Sequence, residues 1–289
     1  MRFTPHADVR RFRDDVLPSL CRDEVANNLM LSILAMGVGG DETDGWRDAS
    51  RWIMATVADD ADVHLVALMT PPRNLILCGT GGVDDALPTL VDGLVGAGIP
   101  VPGVVAEAGL AMRFAEAFTS ASRQTTNVTM RQRIYELTSV NPAVPTVGTL
   151  RLAREPDLAF LPFWMQGFAI DCDLDEFSQL STDLDLYRRM LLSDTLCVLE
   201  VDGVPVAMAK EQATTGGVCR VSYVYTPPYL RNHGYASACV ASLSQHLLDR
   251  GFNTCVLYTD LGNPVSNSIY QRIGFLPHCD SLELRFDAA

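Results

Sequence analysis

Residues 220–237 read Arg-Val-Ser-Tyr-Val-Tyr-Thr-Pro-Pro-Tyr-Leu-Arg-Asn-His-Gly-Tyr-Ala-Ser. The run 221–225 is β-branched and aromatic, the composition of a strand in a mixed sheet. Pro227 and Pro228 end that strand, because neither has an N–H to give to a ladder. Further on, Ala236, Val240, Leu243 and Leu247 fall on one face of a helix, and Gly251 stands where its C-terminal cap belongs. A strand, a tight loop and a helix start aim several backbone N–H groups and the positive end of a helix dipole at one spot, and such a spot binds phosphate. Gly234 leaves room for a pyrophosphate to approach, and Ala236 is nearly as small.

The pattern Arg231-x-x-Gly234-x-Ala236 resembles the acyl-CoA loop of the GNAT N-acetyltransferase superfamily, Gln/Arg-x-x-Gly-x-Gly/Ala. A strand expected over 254–260 leads into Asn263-Pro-Val-Ser266-Asn267-Ser-Ile-Tyr270 and Gly274-Phe275. That stretch is similar to the family's second signature, Asn-x-x-Ala/Ser-x-x-Leu/Ile-Tyr-x-x-x-Gly-Phe, in the family's order. The close resemblance covers residues 198–286 and a looser one begins near 149.

The resemblance implies acetyl-CoA as acyl donor, no metal, and direct attack by a primary amine of a small molecule or peptide in a ternary complex. Backbone at Val224, Tyr225 and Thr226 would pair with the pantetheine arm, and Arg231, Asn232, His233, Gly234, Tyr235 and Ala236 would surround the pyrophosphate. Asn263, Ser266, Asn267 and Tyr270 would lie along the pantetheine, with Asn263 equally suited to capping the following helix. Asn232 and His233 depart from the glycine or basic residues usual inside this loop, and Arg231 suits either a phosphate or the loop's own carbonyls. Tyr270 matches the tyrosine that protonates the departing thiolate; a phenol with a pKa of roughly 10 is reasonably matched to that task. Its alternative is packing on the helix face or a hydrogen bond to the pantetheine. For the base, Glu211 at a strand end is one candidate and Asp260 a second, against ordered water and against plain solvation or turn capping. Two other readings stay open: transfer of a longer acyl group, and a CoA-binding sensor without chemistry.

The bulk numbers are compatible with this. The chain has 289 residues, 48% hydrophobic and 20% charged, enough for one large or two ordinary globular domains. A net charge of −13 repels phosphodiester backbones, which disfavours nucleic acid and tRNA-dependent transfer. Its 8 cysteines contain no C-x-x-C pair, which argues against zinc. With interspersed charge at 1–12 and no secretory pattern there, they read as reduced thiols of a cytoplasmic protein. The apolar run 29–38 is too short to span a bilayer. Self-association stays open.

In chain order, residues 7–57 read as three helices, the last over 46–57 after an acidic, glycine-rich loop at 39–45. Strands are expected at 64–69 and 75–78, a helix at 85–95, a strand at 101–107, a helix at 111–121 and a strand at 127–137. The aperiodic stretch 141–147, with two prolines, separates domains 1–140 and 149–289. A strand at 149–154, helices at 157–170 and 175–192, and strands at 195–201 and 204–210 follow, the last two joined by the hairpin signal Asp202-Gly203. A final strand is expected near 281–286. Both halves show the same order of elements, so the expected fold is α/β (α+β): two GNAT-like units in tandem, each a twisted, mostly antiparallel mixed sheet flanked by helices. In the first half the matching loop, 79–85, reads Gly-Thr-Gly-Gly-Val-Asp-Asp, with two carboxylates where a pyrophosphate would sit. That half is expected to be degenerate, a lobe roofing the cleft.

Overall fold

A 12-stranded sheet organises the computed structural model, which describes residues 1–39, 48–172, 188, 195–214 and 216–288. The first run comprises β1 (Arg2–His6), α1 (Val9–Leu20), α2 (Asn28–Gly39), β2 (Ile53–Ala58), β3 (Val63–Met69), β4 (Leu75–Gly79), α3 (Val83–Gly96), β5 (Gly103–Glu107), α4 (Ala108–Ser122) and β6 (Gln124–Leu137). The second comprises β7 (Thr149–Leu152), α5 (Leu161–Asp171), β8 (Leu196–Val201), β9 (Val204–Ala213), β10 (Val218–Tyr225), α6 (Tyr235–Asp249), β11 (Thr254–Asp260), α7 (Pro264–Ile273) and β12 (Leu276–Ala288).

The spatial order is β1-β2-β3-β4-β5-β12-β6-β11-β10-β9-β8-β7. Among the described residues only β4–β5 and β10–β11 pair in parallel; the other ladders run antiparallel. The last strand of each run has crossed to the other's side. β12 lies against β5 and carries Leu284 and Phe286 into the first core, where Phe286 stacks on Phe118 at 5.1 Å. β6 lies against β11 and carries Tyr135 and Leu137 into the second core, beneath Val240 and Leu243 of α6. Each fully buried aromatic or aliphatic chain of this kind contributes roughly 1.5–3 kcal/mol. A third core, with Phe12, Leu31 and Trp52, fixes α1 and α2 on the opposite face of the first sheet.

Local chemistry explains most boundaries. Asp202 and Gly203 both take positive φ, 49° and 78°, as a two-residue hairpin of this twist requires. Gly251, at φ 100°, follows the end of α6. Over its described part, 48–57, the expected helix at 46–57 is instead a single turn, Ala49–Arg51, followed by β2. β2 is covered on both faces, so its side chains lack the alternation that marks a half-exposed strand. β1 had no expectation attached to it, and β12 is longer than 281–286. The helix expected at 157–170 splits into a turn, Glu155–Ala159, and α5, which starts after Phe160. Apart from residue 188, the stretch 175–192 expected as a helix lies outside the described residues, as does most of the 39–45 loop.

The strand exchange is locked at one edge by charge. His278 of β12 sits 3.0 Å from Asp23 and 3.3 Å from Glu136 of β6. Burial on its own lowers the pKa of this ring, but the two carboxylates outweigh it and hold the pKa above the ordinary histidine value. A raised folded-state pKa stabilises the protein fully below the unfolded value, and that stabilisation fades as pH rises through the folded one. His278→Gln is therefore expected to cost on the order of 1 kcal/mol in mildly acidic buffer, these groups being partly solvated. The gap to wild type in urea titrations should shrink as pH rises. A gap independent of pH would remove the charge from the explanation.

Candidate active site

β10 and β11 run together only at Val218↔Thr254, Cys219↔Cys255 and Arg220↔Val256, and then part. On the other edge of β10 the ladder to β9 slips between Ser222 and Tyr225, where Tyr223 takes φ 52°. A bulge of this kind bends the strand and leaves backbone groups unpaired. Beyond Arg220, the edge of β10 that faces β11 has no ladder partner there, so it is open to an extended ligand. Val224, Tyr225 and Thr226 lie on this stretch, and the buried Thr226 hydroxyl has no hydrogen-bond partner.

The strand ends at Pro227, and a single turn, Pro228–Leu230, leads into the loop. Asn232 takes φ 66°, the left-handed conformation that asparagine tolerates better than most residues, so this departure from glycine keeps the loop tight. Gly234 caps α6 at φ 79°, and a Cβ built on it meets nothing within 4 Å. No side chain caps α6, its first turn carries no acid, and the first helical bond runs from Ala238 N–H to the Gly234 carbonyl. The N–H groups of Tyr235, Ala236 and Ser237 precede that bond and have no helical acceptor. Arg231 braces the loop rather than pointing freely outward. Its Nε donates to the Thr226 carbonyl at 3.0 Å and its Nη2 to Asp171 of α5 at 2.5 Å. His233 stacks on Tyr235, and its Nδ1 lies 2.8 Å from the Arg231 carbonyl.

The first half repeats this geometry with the opposite electrostatics. Gly82 caps α3 at φ 60°, again without a side-chain cap, but Asp84 and Asp85 occupy the first turn and Asp84 lies 3.4 Å from Arg113. The His64 ring covers the turn, held by Asp59 and the Gly81 carbonyl at 2.8 Å each; a Cβ on Gly82 would lie 2.7 Å from it. A cavity of about 240 Å³ does open between β4 and β5, bounded by Gly79, Val83, Glu107 and Arg113. Carboxylates at a helix start oppose a second anion.

Tyr270 of α7 is 8% exposed, edge-on to Phe275, and its hydroxyl has no hydrogen-bond partner among the described residues. Burial, then the nearby Cys172 and Cys239, push its phenol above the usual pKa, so it stays protonated at neutral pH. Asn263 caps α7, accepting from Ser266 N–H at 3.1 Å. The Asn267 side chain is fully committed: it donates to the Asp260 and Asn263 carbonyls and accepts from Tyr135. These bonds make it a fastener between β11, α7 and β6. Asp260 closes its own turn by accepting from Gly262 N–H.

Glu211 is not the free strand-end carboxylate that the sequence suggests. It is 6% exposed and accepts both oxygens' bonds from Arg250 Nη1, at 2.8 and 2.6 Å. Arg250 follows the last turn of α6, about 22 Å from the Gly234 end at 1.5 Å per residue. The strand position that suggested a solvent-facing end lies inside β9, which runs on to Ala213. Glu211→Gln is expected to keep kcat within about threefold while lowering Tm by several degrees, the cost of breaking a largely buried pair. A large kcat loss at unchanged Tm would restore the catalytic reading. Sequence gave no sign of Asp171, because nothing in the chain's order links α5 to the loop.

Among the described residues no group of three or more His, Cys, Asp or Glu is placed to hold a metal, and no helix is long and apolar enough to cross a membrane.

Residues 164–275 match the profile of the acetyltransferase (GNAT) family. No curated protein matches the sequence significantly. Solved structures match over nearly the whole length. A Drosophila protein superposes with TM-score 0.65 at 11% identity, covering 99% of this chain and 98% of its own. A GCN5-related N-acetyltransferase from Sphaerobacter thermophilus gives 0.58 at 17%, covering 99% and 96%. A tandem GNAT protein from the clavulanic acid biosynthesis pathway gives 0.55 at 11%, covering 99% and 98%. At these identities the likeness is one of fold.

Proposed function

We propose that this chain, whose fold is that of the GNAT acetyltransferases in tandem arrangement, is an acetyl-CoA-dependent N-acetyltransferase acting through its second half. The observation that carries the reading is the uncapped, acid-free start of α6 at an open glycine, directly beyond a strand edge without a partner. Free amides and the helix dipole favour the pyrophosphate, and the open edge of β10 accepts the pantetheine as an added strand. The arm then enters the gap between β10 and β11, with the thioester at the bulge. Backbone N–H groups there polarise its carbonyl, a contribution of about 3 kcal/mol per well-aimed donor.

The amine attacks the thioester carbon, the tetrahedral intermediate collapses with cleavage of the C–S bond, and Tyr270 gives its proton to the departing sulfur. The amine's own proton leaves to solvent, since Glu211 is engaged elsewhere. Thiol release from acetyl-CoA against an amine panel tests this. Amine-dependent release is the expected result; tight CoA binding with no turnover on any amine would favour a sensor.

A further inference from the structure

Arg220 marks the point where β10 and β11 part, and its side chain lies on the face away from α6. Its neighbours Cys219 and Val221 belong to the core under α6, whereas Val218 packs with Val25 of the first half on the opposite face. Gln212 and Lys210 of β9 pair with Arg220 and Ser222, so all four share that face. The Lys210 ammonium lies 5.6 Å from the centre of the Tyr223 ring.

Among the described residues the guanidinium meets no carboxylate. Nε and Nη2 both donate to the neutral Gln212 amide oxygen, at 3.0 and 2.7 Å, and the Ser222 hydroxyl donates to the same atom at 3.1 Å. Among the described residues no acid lies within ion-pair distance of Arg220. Glu24, which approaches this edge, accepts from Gly217 N–H instead. Lost hydration without a compensating anion pulls the guanidinium pKa below its usual value. In a chain of net charge −13, a crowded arginine left without an acid is costly unless something anionic arrives. Gln212 fixes one side of the fork. The remaining N–H groups of Nη1 and Nη2 form the parallel pair that a carboxylate or phosphate accepts.

From these observations we infer that the acceptor is an amine that also carries a carboxylate or phosphate, and that Arg220 binds this anion at the vertex of the strand gap. The inference rests on the donor lying as described above. Its arm enters from the α6 side, which leaves the Arg220 face for the acceptor. Anchoring the anion there presents the nitrogen to the thioester and excludes neutral amines, which would leave the guanidinium unpaired.

Two measurements test it. Succinate and inorganic phosphate are titrated into the wild-type protein, R220M and R220K, and followed by calorimetry and thermal unfolding. Wild type should bind both saturably, R220M at least tenfold more weakly and R220K in between. Any phosphate held at the start of α6 persists in R220M and subtracts out. In the kinetic arm, β-alanine is compared with β-alaninamide and phosphoethanolamine with ethanolamine. Wild type should favour the anionic partner at least tenfold in kcat/KM, and R220M should erase the preference through KM while keeping its acetyl-CoA affinity. The better anion in both arms identifies carboxylate or phosphate. No saturable anion binding by wild type, equal binding by R220M, or equal turnover of the neutral amines would overturn the inference. Failure of acetyl-CoA to bind at all would instead count against the acetyltransferase reading, because the anion titration does not use it.

Discussion

Gly234→Asp is expected to abolish acetyl-CoA binding, weakening it by on the order of a hundredfold to a thousandfold (about 3–4 kcal/mol). Aspartate tolerates the left-handed conformation that the residue at φ 79° must hold, and the space around the site is empty, so the fold should survive. The new carboxylate would then cap the very N–H groups that the pyrophosphate needs, and would repel the ligand's charge as well. Gly234→Asn has the same shape and capping ability without the charge, so its loss should fall between aspartate and wild type. Calorimetry on the three proteins separates occupancy from repulsion. Unchanged affinity in the aspartate variant would take the loop out of the site.

Removing one oxygen from Tyr270 should act on turnover and little else. Tyr270→Phe is expected to lower kcat by roughly a hundredfold or more, the usual range for a lost general acid. Acetyl-CoA affinity should stay within about threefold (~0.6 kcal/mol). The hydroxyl bonds to no described residue, so its loss strands no partner and Tm should barely move. In wild type the raised phenol pKa also predicts that rates hold on the alkaline side past the point where an ordinary tyrosine would ionise. Wild-type turnover in the phenylalanine variant would end the acid assignment.

What could be read in the chain depended on how local the determinant was. The loop at 231–236, the helix behind it and the Asp202-Gly203 hairpin are set by residues adjacent in sequence, and they stand where expected. β2 was misread because burial on both faces erases the period that separates strand from helix. The pairing of Glu211 could not be read because its partner, Arg250, is 39 positions away and meets it only through the packing of α6 on β9. Asn267 was expected along the pantetheine because it lies within the stretch, 263–275, that resembles the family's second signature. Only the fold shows its amide spent on β11, α7 and Tyr135. Arg220 drew no notice as a strand arginine. Its meaning lies in the lack of an acid among the described residues around it, and a sequence cannot display a missing neighbour.

The crossing of β6 and β12 also sets the order in which the molecule can be completed during synthesis. The first half emerges with its β5 edge bare, and the strand that covers it, residues 276–288, is made only after the preceding elements of the second run. The second half, in turn, holds a strand supplied long before the rest of its sheet exists. Until translation reaches that strand, the nascent protein carries an uncovered strand edge and an incomplete apolar layer around Phe118, the kind of surface that chaperones shield.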